Sequence, residues 1–126
     1  MLSGVLKDTG IAAQQFQPQI NEQRSDDELL VSRGVTYRAK NSVAVEVRLR
    51  NTGAESWQAA GATLVGPTGE TLQGVRIGLA EPIPPQQTRQ VFIEADAADG
   101  IPHGEVTLRL WGADGRAITL LKVTFP

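Results

Sequence analysis

The sequence predicts an all-β domain, an antiparallel two-sheet sandwich of about seven strands. Three observations predict it. From residue 28 onward, apolar and polar residues alternate in a series of short segments, as they do in strands with one buried face. Turn-forming Gly, Pro, Asn and Asp residues separate these segments at regular intervals. Unbroken apolar runs are missing, which favours antiparallel sheets over buried parallel ones.

The composition is that of one globular domain. The chain has 126 residues, of which 40% are apolar, with a net charge of −2 and no cysteine. The acidic balance argues against nucleic-acid binding, which needs clustered Lys and Arg. The lack of cysteine excludes disulfides and cysteine-ligated zinc. We expect no membrane span, because no apolar run approaches the roughly 20 residues a helix needs. We also expect no signal peptide at residues 1–7, which lack a basic leader.

Residues 1–27 are interpreted as an N-terminal arm and residues 28–126 as the sandwich. Leu2, Val5 and Leu6 have the spacing of one helix face, and a glutamine-rich linker follows Gly10. A helix this short is unstable alone in water, so its apolar face needs a surface to pack on. We therefore predict that these three residues contact a protein partner, either the sandwich of the same chain or a second copy in a homo-oligomer.

The first strands are predicted from the alternation of apolar and polar residues. One face of the strand at residues 42–50 consists of Val43, Val45, Val47 and Leu49, while polar residues occupy the other face. The preceding strand has Leu29, Val31, Val35 and Tyr37 in phase. Gly34 interrupts it and predicts a bulge. Lys40-Asn41 predicts the hairpin turn between the two strands.

The later strands follow the same rule. Residues 62–65 precede the turn sequence Gly66-Pro67-Thr68-Gly69, and the proline-rich residues 81–85 are expected to cross between sheets. The remaining inward residues are predicted to be Val75, Ile77, Leu79, Val91, Ile93, Ala95, Val106, Leu108, Leu110, Ile118 and Leu120. Beyond Leu120 the apolar phase reverses, which predicts a bulge or a change of sheet.

Few residues are candidates for chemistry, and we predict no catalytic residue, no cofactor and no metal. His103 is the single histidine and lies in an expected loop, whereas triads and most zinc sites need histidine with specific partners. Asp96 and Asp99 lack the run of oxygen ligands that a calcium loop requires. The glutamates on polar strand faces show no spacing that would pair two carboxylates across a cleft.

Candidate partner contacts come from outward-facing arginines and one tryptophan. Arg48, Arg50, Arg76 and Arg109 fall on polar strand faces, and Trp111 follows Arg109 closely. Basic residues beside an exposed aromatic ring bind acidic partners or ligands, whereas cross-strand pairing with Glu is the structural alternative. Trp57 is expected to close one end of the core.

Three stretches together resemble a known family. They are residues 43–53 followed by Trp57, residues 61–67 with the proline-rich residues 81–85, and residues 107–111 with residues 123–126. This set resembles the C-terminal half of a paralogous myxobacterial family catalogued as domain of unknown function 2381, over residues 2–126. The resemblance implies a secreted or envelope protein without known catalytic residues. The placement of Asn, Gly, Trp and Pro between the predicted strands is also similar to that in immunoglobulin-like adhesion and scaffold modules.

Two functions are expected from these observations. The first is a non-catalytic structural or protein-binding module of the bacterial envelope or exterior that self-assembles or binds another protein. The alternative is a module that binds a carbohydrate or acidic ligand through Trp111 and its neighbouring arginines. An enzyme ranks third, because no nucleophile–base or acid–base set is visible in the sequence.

Overall fold

The computed structural model describes residues 5–6, 11–19, 22–25, 28–96 and 104–126. No helix in these ranges is long and apolar enough to cross a membrane. The strands are β1 (Val5–Leu6), β2 (Ile11–Phe16), β3 (Gln23–Ser25), β4 (Leu29–Arg38), β5 (Ser42–Asn51), β6 (Ala59–Val65), β7 (Arg76–Ala80), β8 (Thr88–Asp96), β9 (Val106–Gly112) and β10 (Ala117–Val123).

The strands form two sheets. The larger sheet has the order β1-β2-β4-β5-β8-β7, and the smaller sheet has the order β3-β10-β9-β6. Neighbouring strands are antiparallel throughout both sheets. The predicted all-β class and the antiparallel two-sheet architecture are therefore confirmed.

The core lies between the two sheets and follows the predicted alternation on the central strands. Each of its side chains removes apolar surface from water, which stabilises the fold by about 1.5–3 kcal/mol per large aliphatic residue. The fully buried apolar residues of β5, β8 and β9 are Val43, Val45, Val47, Leu49, Val91, Ile93, Ala95, Val106, Leu108 and Leu110.

The predicted N-terminal helix is wrong. Val5 and Leu6 form β1, which pairs with residues 11–12 of β2, while Leu2 lies outside the described residues. A two-turn helix bears the cost of nucleation alone, whereas a sheet edge offers ready main-chain partners. The N-terminal segment adds β1 and β2 to the larger sheet, where β2 pairs with β4, and it adds β3 to the smaller sheet, where β3 pairs with β10.

The bulge predicted at Gly34 lies two residues earlier. Val31 pairs with Leu49 and Arg33 pairs with Arg48, so Ser32 is the extra residue. The bulge reverses the phase of β4, because one inserted residue moves every later side chain to the other face. Two residues predicted to be inward, Val35 and Tyr37, consequently lie on the outer face, and the inward positions are occupied by Gly34 and Thr36.

Gln23 ties the two sheets together beside this bulge. Its side-chain Nε2 donates to the Val31 carbonyl at 3.0 Å, and the Val31 N–H donates to its Oε1 at 2.9 Å. The amide group thus substitutes for a neighbouring strand at Val31, where β2 no longer pairs with β4. A side chain of β3 in one sheet thereby satisfies the main chain of the other sheet.

The phase reversal predicted near Leu120 is a bulge. Leu120 pairs with Leu108 and Val123 pairs with Val106, so the strand gains one residue. Lys122, within the bulge, has a φ of 59°. Both Val123 and the following Phe125 return to the core as a result.

The proline-rich segment at residues 81–85 was predicted to cross between sheets, and that prediction is wrong. It joins β7 and β8, which are neighbours in the larger sheet. Ile83 is buried and forms an isolated bridge with Trp57. The segment lacks main-chain donors at its prolines, so it cannot continue a strand, and its single isoleucine anchors it to the core.

A buried polar cluster closes one end of the sandwich, and Asn51 is its centre. The Asn51 side chain donates from Nδ2 to the carbonyls of Glu55 and Ile83, at 2.6 and 2.9 Å. Its Oδ1 accepts from the Gly53 N–H at 3.0 Å and from Arg116 Nη1 at 3.3 Å. One residue thereby holds the β5–β6 connection, the β7–β8 connection and the β9–β10 hairpin together.

Arg116 and Trp57 complete this cluster. Arg116 donates from Nε to Asp114 at 2.7 Å and from Nη2 to the carbonyls of Glu55 and Ser56, both at 3.0 Å. Trp57 Nε1 donates to the Arg116 carbonyl at 3.1 Å. The Trp57 side chain is 1% exposed, so its predicted structural role in the core is confirmed.

Leu108→Ala is expected to lower the free energy of unfolding by about 2–4 kcal/mol, because it opens a cavity between the sheets. Leu30→Ala is the matched control, since Leu30 is 38% exposed and its loss is expected to cost less than about 0.5 kcal/mol. Urea denaturation followed by circular dichroism measures both. Equal effects of the two substitutions would contradict the inward orientation of β9.

Asn51→Ala is expected to destabilise the fold by about 2 kcal/mol or more, because it leaves buried main-chain and guanidinium groups without partners. Asn41→Ala, in the exposed β4–β5 turn, serves as the control. A chemical denaturation midpoint that is the same for both variants would show that the Asn51 cluster contributes nothing to stability.

Candidate functional site

The two outer faces of the sandwich carry different chemistry. We call the outer face of the smaller sheet the tryptophan face, defined by Trp111, Arg109, Thr63, Thr119 and Arg24. We call the depression on the outer face of the larger sheet the arginine groove; its polar residues are Gln15, Gln17, Arg33, Glu46, Arg48 and Gln90.

The tryptophan face is positioned by strand register. Thr63 of β6, Arg109 of β9, Thr119 of β10 and Arg24 of β3 lie directly across from one another. Arg109 Nη1 donates to Thr119 Oγ1 at 3.5 Å. This row therefore combines two guanidinium groups with two hydroxyls and contains no carboxylate, and neither arginine forms an ion pair with a described residue.

Trp111 lies against Gly61, its direct neighbour on β6. A Cβ atom at Gly61 would lie 2.5 Å from Trp111 Cζ2, so only glycine lets the ring approach the main chain this closely. The ring remains partly exposed. Gly61 thus holds a large aromatic side chain flat on the sheet surface beside Arg109.

The arginine groove has a volume of about 530 Å³. Arg33 of β4, Arg48 of β5 and Gln90 of β8 form one cross-strand row, and the adjacent row contains Gln15 and Glu46. No ion pair joins Arg33 or Arg48 to any residue that the structure describes. Two like charges thus stand directly opposite each other, an arrangement that costs stability unless an anion compensates it.

An aromatic pair lies next to Glu46 on the same outer face, outside the groove lining. The rings of Tyr37 and Phe92 are 6.1 Å apart at 48°, and the Tyr37 hydroxyl donates to Glu46 Oε1 at 3.1 Å. Burial raises the pKa of Tyr37 above its ordinary 10.0, and the Glu46 carboxylate raises it further by charge and by accepting the hydrogen bond. Since both the burial and the carboxylate disfavour the phenolate, Tyr37 stays a hydrogen-bond donor at neutral pH.

The structure does not gather the predicted partner contacts into one patch. Arg48 and Arg50 lie on the outer face of the larger sheet, whereas Arg109 and Trp111 lie on the outer face of the smaller sheet. Because the core separates the two faces, these residues belong to two different surfaces. Arg50 Nη2 donates to Gln86 Oε1 at 3.3 Å and stands outside the groove lining.

The other predicted residues are placed as follows. Arg76 pairs with Glu94 at 3.6 Å and with Asp96 at 3.1 Å, which fits the cross-strand pairing that the sequence left open for it. Val5 and Leu6 lie on β1 at one edge of the larger sheet. Asp99 and His103 fall outside the described residues.

The sequence interpretation missed Arg33. Its neighbour Arg48 was identified, but the sequence analysis placed Val35 and Tyr37 on the inner face of β4. That assumption gave no reason to place Arg33 beside Arg48. The sequence does contain an indication: two consecutive polar residues, Ser32 and Arg33, interrupt the alternation of β4. A bulge at Ser32 turns Arg33 outward, opposite Arg48.

Acidic groups elsewhere serve structural roles. Hydrogen bonds from the main-chain N–H and the guanidinium of Arg116 lower the pKa of Asp114, and a hydrogen bond from the Thr68 hydroxyl lowers the pKa of Glu70. Within the described ranges, no three acidic, histidine or cysteine side chains cluster closely enough to hold a metal ion.

Comparison with family models gives a match over residues 1–122 to the model described as a protein of unknown function, DUF2381. A search of curated proteins finds no significant match.

Tyr37 is the single tyrosine, so phenolate absorbance follows it alone. We expect its titration midpoint above 10.0. The folded state favours the protonated phenol, so the contribution of Tyr37 to stability is full below its ordinary pKa and is lost as the pH rises through the raised pKa. Glu46→Gln is expected to lower the midpoint without restoring it to 10.0, because burial remains. Glu105→Gln is the control. A wild-type midpoint at or below 10.0 would contradict the contact.

Proposed function

The chain belongs to DUF2381, a protein family of unknown function, and from this premise we propose that it is a non-catalytic, protein-binding β-sandwich module. Its tryptophan face is the contact surface. The arginine groove on the opposite face is a separate surface.

The observation that carries the proposal is the partly exposed ring of Trp111, held flat on Gly61 beside Arg109. Tryptophan and arginine are the residue types most enriched among those that dominate binding energy at interfaces. A ring that is already fixed on a rigid sheet loses little conformational freedom on binding. The cross-strand row beside it carries two arginines and no carboxylate, which favours an acidic partner surface.

The strand order supports an immunoglobulin-like identity for the sandwich. Without the N-terminal strands, the larger sheet has the order β4-β5-β8-β7 and the smaller sheet β10-β9-β6. Lettered A to G in chain order, these are sheets A-B-E-D and G-F-C, the arrangement of immunoglobulin constant-type domains. Trp57, buried just before the third of these strands, is near the position of the core tryptophan of such domains. Fold-level analogy does not identify a partner.

The chemistry of the two faces supports a non-catalytic role. Each face combines guanidinium groups, amides or hydroxyls with aromatic surface, which suits recognition. Catalysis requires a nucleophile beside a base, or an acid and a base facing one substrate position. Neither face brings such a set together among the residues that the structure describes.

The location that we propose is the bacterial envelope or exterior, and it rests on the resemblance to the C-terminal half of the myxobacterial family. A second copy of the chain is one proposed partner. Val5 and Leu6 support self-association, because β1 lies at an edge of the larger sheet and sheet edges pair with strands of other chains. Light scattering after size exclusion measures this association directly.

A photoreactive amino acid at position 111 is expected to cross-link a protein partner in cells of the native host, because the Trp111 ring marks the interface. The same amino acid at position 81 is the control, since Glu81 is exposed in the β7–β8 connection. Mass spectrometry identifies the adduct and distinguishes a second copy from another protein. Equal adduct yields at both positions, or no adduct at position 111, would contradict the proposal.

A further inference from the structure

The arginine groove is suited to an anion, because neither of its two guanidinium groups forms an ion pair with a residue that the structure describes. Arg33 and Arg48 are direct cross-strand neighbours on the outer face of β4 and β5. Their forks can bind a planar carboxylate through two parallel hydrogen bonds each. The register of β4 and β5 places the main-chain positions of the two arginines directly opposite each other on one face.

The rest of the lining is suited to hydroxyl groups. Gln15, Gln17 and Gln90 line the groove, and each side-chain amide both donates and accepts hydrogen bonds. Glu46 also lines it, and its Oε1 accepts from Tyr37. A carboxylate has further acceptor sites that a ligand hydroxyl fills. A bare inorganic anion would be repelled by Glu46, whereas a ligand with both an acid group and hydroxyls uses every one of these groups.

One apolar side chain, Val35, lies on the groove side of the sheet. It is part of the lining, faces outward on β4 and is partly buried, whereas the Phe16 side chain packs against the core. An apolar side chain at the bottom of a polar groove packs against the C–H face of a pyranose ring. A volume of about 530 Å³ lies within the size range of small-molecule sites and accommodates a short oligosaccharide.

We propose that the arginine groove binds an acidic carbohydrate, with a uronate carboxylate on Arg33 and Arg48 and its hydroxyls on the glutamine amides and Glu46. This site lies on the opposite face of the sandwich from Trp111 and is independent of the protein-binding function. The same chain thus has one face for a protein and one for an acidic glycan.

Binding of trigalacturonic acid to the full chain, measured by titration calorimetry, tests the proposal. Arg33→Gln and Arg48→Gln are each expected to weaken binding by about tenfold or more, the effect of losing a hydrogen bond to a charged group. Arg89→Gln is the matched control, because it removes the same charge from an exposed arginine of β8 outside the groove lining, and it is expected to change the affinity less than about twofold.

Two further ligands separate the contribution of the carboxylate from that of the hydroxyl groups. The methyl ester of trigalacturonic acid lacks the carboxylate charge and is expected to bind at least about tenfold more weakly, because the charged hydrogen bonds are gone. Sodium sulfate is expected to bind more weakly than the uronate, because it offers no hydroxyls to the amides or to Glu46. Equal affinity for sulfate would overturn the assignment to a sugar acid and leave an unspecific anion site.

Nitrogen-edited NMR spectra locate the contact. Shifts of the side-chain amide signals of Gln15 and Gln90 on addition of the uronate are expected. Both arginine variants should retain the wild-type melting temperature or exceed it, since removing one of two facing like charges relieves repulsion. Loss of binding that is equal in Arg89→Gln and Arg48→Gln, or amide shifts confined to the tryptophan face, would overturn the proposal.

Discussion

The buried amide of Asn51 is the constraint on which the closed end of the sandwich depends. It holds three connections at one end of the sandwich and receives Arg116 from the β9–β10 hairpin. Because Arg116 directly precedes β10, its anchoring fixes the register of the hairpin against the rest of the domain. A slip of one residue would exchange the faces of a strand, placing Arg109 and Trp111 in the core. The alternation along β9 turns Arg109 and Trp111 outward, and the Asn51 cluster holds the hairpin beside them in that register.

The bulge at Ser32 has the corresponding role for the larger sheet. Before it, Leu29 and Val31 face the core; after it, Arg33 and Tyr37 face outward. The single inserted residue thereby places Arg33 opposite Arg48, with Tyr37 close enough to bond to Glu46. Gln23 hydrogen-bonds to both the N–H and the carbonyl of Val31 beside the bulge, so this residue keeps main-chain partners where β2 no longer pairs with β4.

The alternation of apolar and polar residues predicted which side chains of the central strands face the core, because this property depends only on neighbours along the chain. The inward faces of β5, β8 and β9 were predicted residue by residue, because strict alternation leaves one arrangement that buries Val47, Ile93 and Leu108 together. The N-terminal strands were not predictable in this way, because β2 and β3 owe their conformation to partners that are distant in sequence. The candidate sites were predicted in part for the same reason: alternation shows that Arg48 and Trp111 point outward, but only sheet topology shows that they point in opposite directions.

The N-terminal strands also bear on the colloidal behaviour of the domain. β2 and β3 cover the outer edges of β4 and β10, on the same side of the sandwich. A version of the domain shortened to begin at residue 28 would leave the main chains of both strands open to pairing with other molecules, the usual start of amyloid-like aggregation. The strands β2 and β3 thus act as a solubility element, and they belong in any recombinant form of the domain.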